Sequence, residues 1–166
     1  MKILVAEDDA PSRMILTRKL QKWGHDVLEA ATGTEGWDAV REDRPDIAIL
    51  DWMMPGLDGI DLCRKIRLGE NLSYVYIIML TAKGQEKDMI TAFQGGADDY
   101  IVKPFREGLL RSRVAVGERE KGSSGMTRHS PGKTSNSEST VPKWRNWPRP
   151  GQSNSSMPNV WPPWVC

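Results

Sequence analysis

The chain has 166 residues, a formal net charge of +1 at pH 7 and two widely spaced cysteines, a length that allows one domain of ordinary size with some chain left over. The small net charge argues against a general polyanion binder, although it conceals a balance of −3 over residues 1–121 and of +4 over residues 122–166. The sequence has no run of the ~18 apolar residues that would span a bilayer, and it does not begin with the pattern of a signal peptide. Cys63 lies in an apolar helical pattern, which suits a reducing compartment. We therefore predict a cytoplasmic protein without membrane contact.

Five short apolar runs, each followed by a pattern with helical spacing, make up the first 121 residues. The runs are short and rich in Ile and Val, which favours buried strands over helices. The predicted strands cover residues 2–6, 25–30, 47–51, 75–80 and 99–102, and the predicted helices cover residues 10–23, 32–44, 58–68, 86–94 and about 106–120. Continuous apolar strands that alternate with helices predict a parallel sheet with helices on both faces and right-handed crossovers.

The composition changes at Gly122. Residues 122–166 contain no Leu, Ile, Phe, Ala or Asp, are rich in Ser, Pro and Gly, and hold four of the seven tryptophans. Such a segment cannot bury enough apolar area to offset the entropy of ordering it. We therefore expect a folded domain over residues 1–121 and a disordered tail over residues 122–166. The tail has neither the apolar periodicity of a winged helix nor a zinc signature, so it gives no support for direct nucleic-acid binding.

Four of the five predicted strands end at, or are followed at once by, polar residues that could act together. These residues are Glu7, Asp8 and Asp9 after the first strand, Asp51 at the end of the third, Thr81 after the fourth, and Lys103 after the fifth. Because the carboxyl ends of parallel strands meet at one edge of a sheet, we expect these side chains to converge. Clustered carboxylates raise one another's pKa, and a hard divalent cation such as Mg²⁺ relieves their repulsion.

The same edge offers groups that could hold a phosphoryl group. The ammonium of Lys103 can bind one phosphoryl oxygen, the hydroxyl of Thr81 can donate to another, and the small Ala82 leaves room for a tetrahedral group. The pattern predicts a cationic cradle for a phosphoryl group on Asp51, where reactivity comes from positioning and charge stabilisation. Each residue alone has an ordinary structural explanation, but their coincidence at four strand ends favours the functional one.

In this order and spacing, the motifs of residues 1–121 resemble the receiver domain of bacterial two-component response regulators. The matching stretches are residues 3–9, 51–59, 80–83 and 96–105. The resemblance implies a flavodoxin-like (βα)5 fold with strand order 2-1-3-4-5, phosphotransfer to Asp51 from a sensor histidine kinase or a phosphotransfer protein, and a requirement for Mg²⁺. It implies no enzyme activity beyond the domain's own phosphorylation and dephosphorylation.

The resemblance also implies roles for the acidic residues. Asp51 matches the phosphoacceptor, and Glu7 and Asp8 match the acidic pair that holds the metal ion, with Asp8 the expected direct ligand. Met53 would offer its backbone carbonyl to the same ion. Asp9 follows the pair, so it either caps the next helix or shifts the register of the acidic pair by one residue.

The remaining matches concern the response to phosphorylation. Thr81, with its neighbour Ala82, and Tyr100 match the switch pair, and Lys103 matches the phosphate-binding lysine, followed by Pro104 after an expected cis peptide bond. The implied switch alters the surface formed by the fourth helix, the fifth strand and the fifth helix. That surface would bind a downstream protein or a second copy of the chain.

Alternative interpretations remain open for the chemistry and for the tail. A phosphohydrolase of the haloacid dehalogenase type also forms an aspartyl phosphate, but it requires a second aspartate where this chain has Met53. A flavodoxin-like cofactor binder requires a hydroxyl- and glycine-rich loop after the first strand, which this chain lacks. The tail tryptophans could form a docking motif, or the tail could be the frameshifted remnant of a lost DNA-binding or cyclic-di-GMP effector domain. The joint loss of Leu, Ile and Ala favours the remnant.

Overall fold

The computed structural model describes residues 1–70, 72–82 and 84–124, so the predictions made for residue 125 onward lie outside the described residues. Within these ranges, strands and helices alternate along the chain. The elements are β1 (Lys2–Ala6), α1 (Ala10–Lys22), β2 (Asp26–Ala30), α2 (Gly33–Asp43), β3 (Ile47–Asp51), α3 (Gly59–Leu68), β4 (Tyr76–Thr81), α4 (Glu86–Gln94), β5 (Asp99–Val102) and α5 (Glu107–Ser124). Every predicted element is present, and α5 continues to Ser124, beyond its predicted end near residue 120.

The strands form one parallel sheet in the order β2-β1-β3-β4-β5, which confirms the predicted flavodoxin-like topology. The register aligns the carboxyl ends of neighbouring strands, since Ala6 pairs with Leu50 and Asp51 pairs with Leu80. The polar residues that follow these strands therefore share one edge of the sheet.

Each face of the sheet packs against its own set of helices. Leu4, Ala48 and Leu50 belong to one buried cluster, together with side chains of α2, α3 and α4. Ile3 and Ile49 belong to the other cluster, together with side chains of α1 and α5. Successive side chains of a strand point to opposite faces, so a strand buried on both faces needs an unbroken apolar run. This accounts for the continuous apolar runs in the sequence.

Short polar side chains fix where three of the helices begin. The Asp9 carboxylate accepts the backbone N–H of Ser12 at 2.9 Å at the start of α1. Thr32 plays the same part for α2, and Asp58 for α3. Each such cap contributes about 1 kcal/mol of stability. The capping role considered for Asp9 is confirmed, and it places the β1–α1 turn relative to the sheet.

Candidate functional site

Three carboxylates meet at the carboxyl edge of the sheet. Oxygen atoms of Glu7, Asp8 and Asp51 all lie within 4.8 Å of one another. Glu7 and Asp51 are buried, whereas Asp8 is exposed to solvent. The neighbouring strands β1 and β3 bring these residues together, although 43 or more positions separate Asp51 from the other two in the sequence. Hard oxygen donors at this spacing are the ligands that Mg²⁺ prefers, so the residues fit that ion.

Lys103 reaches this cluster from the end of β5. Its Nζ lies 2.5 Å from Glu7 Oε2 and 3.0 Å from Asp51 Oδ2. Burial alone would lower the pKa of Lys103, but hydrogen bonds to Glu7 and Asp51 outweigh it and raise that pKa above its ordinary value. The lysine therefore carries its charge, and it bonds both buried carboxylates at once.

One ammonium does not balance three carboxylates. Burial raises the pKa of Glu7 to about 7; Lys103 opposes this shift, while the neighbouring Asp51 adds to it. The raised pKa of Glu7 thus shows that a second negative charge beside Asp51 is costly in this partly desolvated place. A divalent cation beside these oxygens would relieve that cost, which agrees with the chemistry of the donor set.

The turn after β3 passes very close to the start of α3. A side chain on Gly59 would place its Cβ 2.1 Å from the backbone oxygen of Asp51, a separation that no real Cβ adopts. The Gly59 N–H donates to the Trp52 carbonyl at 3.0 Å, and the Met53 N–H points to Asp51 Oδ1 at 3.4 Å. Glycine at position 59 therefore allows the turn to fold back and hold Asp51 in place. Sequence reasoning included Gly59 in a motif but gave it no such role.

The predicted switch residues are in contact with each other. Thr81, at the end of β4, is fully buried, and a side-chain hydrogen bond joins it to Tyr100, which is also buried. An open pocket of about 380 Å³ is lined in part by Ala82 and Gly84, between β4 and α4. The peptide bond between Lys103 and Pro104 is cis, as expected.

Arg13 contacts the acidic turn, and sequence reasoning did not single it out. Its Nη1 donates to the backbone carbonyl of Glu7 at 2.6 Å and to that of Asp8 at 3.3 Å. An arginine in the first turn of a helix ordinarily lies on the solvated face of that helix. Only its position, six residues after the first acid, could have pointed to a contact with the turn.

Comparison with known proteins places this architecture in a family. Residues 3–115, well over half of the chain, match the response regulator receiver domain. The chain belongs to the response regulator receiver family. The chain is 42% identical over 122 residues to the transcriptional regulatory protein AfsQ1 of Streptomyces coelicolor, covering 71% of this chain and 53% of that protein.

Two further proteins are similar to this chain. The DNA-binding response regulator MtrA of Mycolicibacterium paratuberculosis is 46% identical over 113 residues, which cover 68% of this chain and 49% of MtrA. A similar solved structure is the receiver domain of the sensor histidine kinase PA1611 from Pseudomonas aeruginosa PAO1, with a magnesium ion coordinated in its active site cleft. It is 31% identical to this chain with a TM-score of 0.64, and the match covers 73% of this chain and 97% of that one.

The chain spans about half the length of the curated relatives it matches. The sequence offers no support for direct nucleic-acid binding, and this interpretation stays untested, since MtrA is named a DNA-binding regulator. Among the residues that the structure describes, none of the helices has the length and apolar character needed to cross a bilayer.

Proposed function

We propose that this receiver accepts a phosphoryl group on Asp51 from a sensor histidine kinase or a phosphotransfer protein. The observation that carries the proposal is the convergence on Asp51 of one ammonium, at 3.0 Å, and of two further carboxylates within 4.8 Å. A phosphoryl group on this side chain would gain the Lys103 ammonium as a partner for one of its oxygens. The chain would catalyse no reaction beyond its own phosphorylation and dephosphorylation.

Mg²⁺ is the proposed cofactor, held by Glu7, Asp8, Asp51 and the backbone carbonyl of Met53. When bound, the ion would neutralise charge on the carboxylates and on the phosphoryl oxygens. The residues of the chain supply the rest: Lys103 provides a fixed positive charge, and Gly59 allows the turn that orients Asp51. Because these groups are already in place, little reorganisation opposes the transfer.

Thr81 and Tyr100 are the proposed switch. A phosphoryl group carries roughly −1.5 to −2 units of charge, on the scale of phosphorylated hydroxyls, and it has three acceptor oxygens. These oxygens would compete with Tyr100 for the Thr81 hydroxyl. Only the difference in contact energy between the two packings can shift the population. The surface affected would be the one formed by α4, β5 and α5, where Met89, Ile90 and Phe93 of α4 are exposed. A downstream protein or a second copy of the chain would bind there.

The direct test is labelling by a small-molecule phosphodonor such as acetyl phosphate. We expect Asp51→Asn to abolish labelling, because the variant lacks the acceptor oxygen. Asp9→Asn is the matched control, since Asn retains the cap on α1 and Asp9 does not belong to the acidic cluster. Equal labelling of the Asp51→Asn variant and the natural chain would refute the assignment. Phosphotransfer profiling against the histidine kinases of the host would then identify the donor.

The switch is tested separately from the acceptor. Thr81→Ala should still be labelled at Asp51 but should lose the change in partner binding or dimerisation that phosphorylation causes. Thr81→Ser retains the hydroxyl and should keep most of that change. Analytical ultracentrifugation with and without phosphodonor measures the dimerisation, and full switching in the alanine variant would contradict the proposed pair.

A further inference from the structure

We propose that Arg13 is a positioning residue that holds the turn of Glu7 and Asp8 in the shape required by a divalent cation. The inference deepens the proposed function and rests on it. Arg13 lies in the first turn of α1, and its side chain is 18% exposed. Its Nη1 donates to the carbonyls of Glu7 and Asp8, at 2.6 Å and 3.3 Å, and not to their carboxylates. The contact thus fixes the backbone while leaving the acidic oxygens available.

The turn is held from several sides, and Arg13 supplies the contact to its two central carbonyls. On one side, the Glu7 N–H donates to the Ala30 carbonyl of β2 at 3.1 Å. On the other side, Asp9 caps α1 through the N–H of Ser12. Between them, the Glu7 and Asp8 carbonyls accept from Arg13. A rotation of the peptide between Glu7 and Asp8 would move both carboxylates, so the Arg13 contact restricts where these two ligands lie.

The charge of Arg13 would by itself have the opposite effect on a metal ion. A guanidinium near the cluster repels a cation, so its removal should tighten Mg²⁺ binding if charge were the main effect. Its Nε lies 3.5 Å from Glu29 Oε2, and this pair partly offsets the charge. Positioning and charge therefore predict opposite signs for the change in Mg²⁺ affinity when Arg13 is replaced.

The preference between Mg²⁺ and Ca²⁺ separates the positioning effect of Arg13 from the effect of its charge. Mg²⁺ requires near-ideal octahedral geometry at short distances, whereas the larger Ca²⁺ tolerates irregular ligand sets. A loosened turn should therefore lose more affinity for Mg²⁺ than for Ca²⁺. A change in electrostatic field acts on two divalent ions almost equally, so it would leave the ratio of the two dissociation constants unchanged.

The experiment is calorimetric titration of the full chain with Mg²⁺ and with Ca²⁺. Arg13→Met roughly keeps the length of the side chain but has no hydrogen-bond donors. We expect it to weaken Mg²⁺ binding about tenfold, which is the lower end of the loss in affinity seen when residues that orient metal ligands are replaced. Arg13→Lys retains one donor group and should recover part of that loss. Glu29→Gln is the matched control, because it removes the ion pair and leaves the carbonyl contacts; its Mg²⁺ affinity should stay within about twofold.

The results distinguish this inference from the proposed function. Unchanged or tighter Mg²⁺ binding by the methionine variant, or a parallel loss for both ions, overturns the positioning role. Should Arg13→Met not fold in a chelator, the lysine variant is used with the same criteria. If the natural chain binds no Mg²⁺, or if Asp8→Asn binds it equally well, the proposed metal site itself is wrong.

Discussion

Two polar clusters lie at opposite ends of the same sheet. At the amino end, the Asp98 carboxylate accepts from Arg67 Nη2 and from the Tyr74 hydroxyl, both at 2.5 Å, and from the backbone N–H of Ile77 at 2.8 Å. Arg67 directs its other donors to the carbonyls of Gly96 and Val75 at 2.8 Å. One cation meets one anion, and each is further satisfied by neutral groups. We call this set the amino-edge cluster.

The carboxyl-edge cluster, formed by Glu7, Asp8, Asp51 and Lys103, differs in its charge balance. Two buried carboxylates, Glu7 and Asp51, share one ammonium, the exposed Asp8 lies beside them, and burial raises the pKa of Glu7 to about 7. A buried cluster that is fully paired joins secondary-structure elements, as the amino-edge cluster joins α3 to β4 and β5. A cluster with uncompensated charge costs stability, which is the usual cost of a site kept for a ligand. Charge balance therefore distinguishes the amino-edge cluster from the cluster for which we propose a function.

Removal of Asp98 should produce the largest change in stability. Asp98→Ala leaves the Arg67 guanidinium, the Tyr74 hydroxyl and the Ile77 N–H without their shared acceptor. Breaking a buried ion pair on one side should lower the free energy of unfolding by about 3 kcal/mol, measured by urea denaturation. Mg²⁺ affinity should not change, because the cluster lies at the opposite edge.

The control for that measurement is an ion pair on the surface. Arg64 and Asp61 are 3.0 Å apart on α3, and both side chains are more than half exposed. Arg64→Gln should change the free energy of unfolding by at most about 0.5 kcal/mol. If Asp98→Ala cost no more than this control, the amino-edge cluster would not be a structural element of the fold.

Asp8→Asn should affect Mg²⁺ binding rather than the stability of the metal-free protein, the reverse of Asp98→Ala. In the metal-free protein the substitution removes one of three clustered negative charges, so the variant should be as stable as the natural chain or more stable by about 0.5 kcal/mol. The natural chain should gain about 2.7 kcal/mol when Mg²⁺ is present at a hundred times its dissociation constant, and the asparagine variant should lose this gain. Urea denaturation in a chelator and in Mg²⁺ measures both quantities.

The Asp98→Ala variant completes this comparison. Its stability should be low in both conditions, yet it should keep the whole Mg²⁺-dependent gain. Asp98→Ala thus lowers stability and leaves metal binding intact, whereas Asp8→Asn leaves stability intact and removes metal binding. A Mg²⁺ gain that survived in Asp8→Asn and vanished in Asp98→Ala would reverse the roles that we assign to the two edges.

The two edges also differ in how well the sequence predicts them. The carboxyl-edge cluster follows from topology, because apolar runs locate the strand ends and parallel strands bring those ends together. The contact between Arg67 and Asp98 does not follow, since Arg67 lies in the last turn of a helix and Asp98 in a loop 31 residues later. Charged residues in such places ordinarily face solvent. Side-chain paths between elements decide the contact, and no local pattern records them.

The same limit explains what was missed within the site. The cap on α1 is local, because Asp9 and its donor Ser12 are three positions apart, and the sequence indicates it. The contact of Gly59 with the backbone of Asp51 depends on how tightly the turn folds back, and the donation from Arg13 depends on the orientation of α1. Motif spacing indicated Gly59 only as part of a pattern and did not indicate Arg13. Their physical roles required the packed structure.

The smallest expected effect concerns His25, which follows α1 and precedes β2 at the amino edge. Its side chain is 8% exposed, and Nδ1 lies 3.8 Å from Glu118 Oε1 of α5. Burial lowers the pKa of His25, the Glu118 carboxylate acts to raise it, and the chain's amino terminus lowers it slightly further. Because the pKa is lower in the folded chain, the neutral imidazole contributes stability above about pH 6.5 that is lost as the pH falls.

Comparing melting temperatures at about pH 7.5 and about pH 5.5 isolates this contribution. The natural chain should lose more stability on acidification than His25→Gln, which cannot titrate there. Glu118→Gln should lose more than the natural chain, because it removes the carboxylate that favours the charged imidazolium. If the natural chain instead lost less stability on acidification than His25→Gln, the ion pair with Glu118 would outweigh burial at His25. The amino edge would then contain a pair that acid strengthens, and full pairing would no longer distinguish it from the carboxyl edge at low pH.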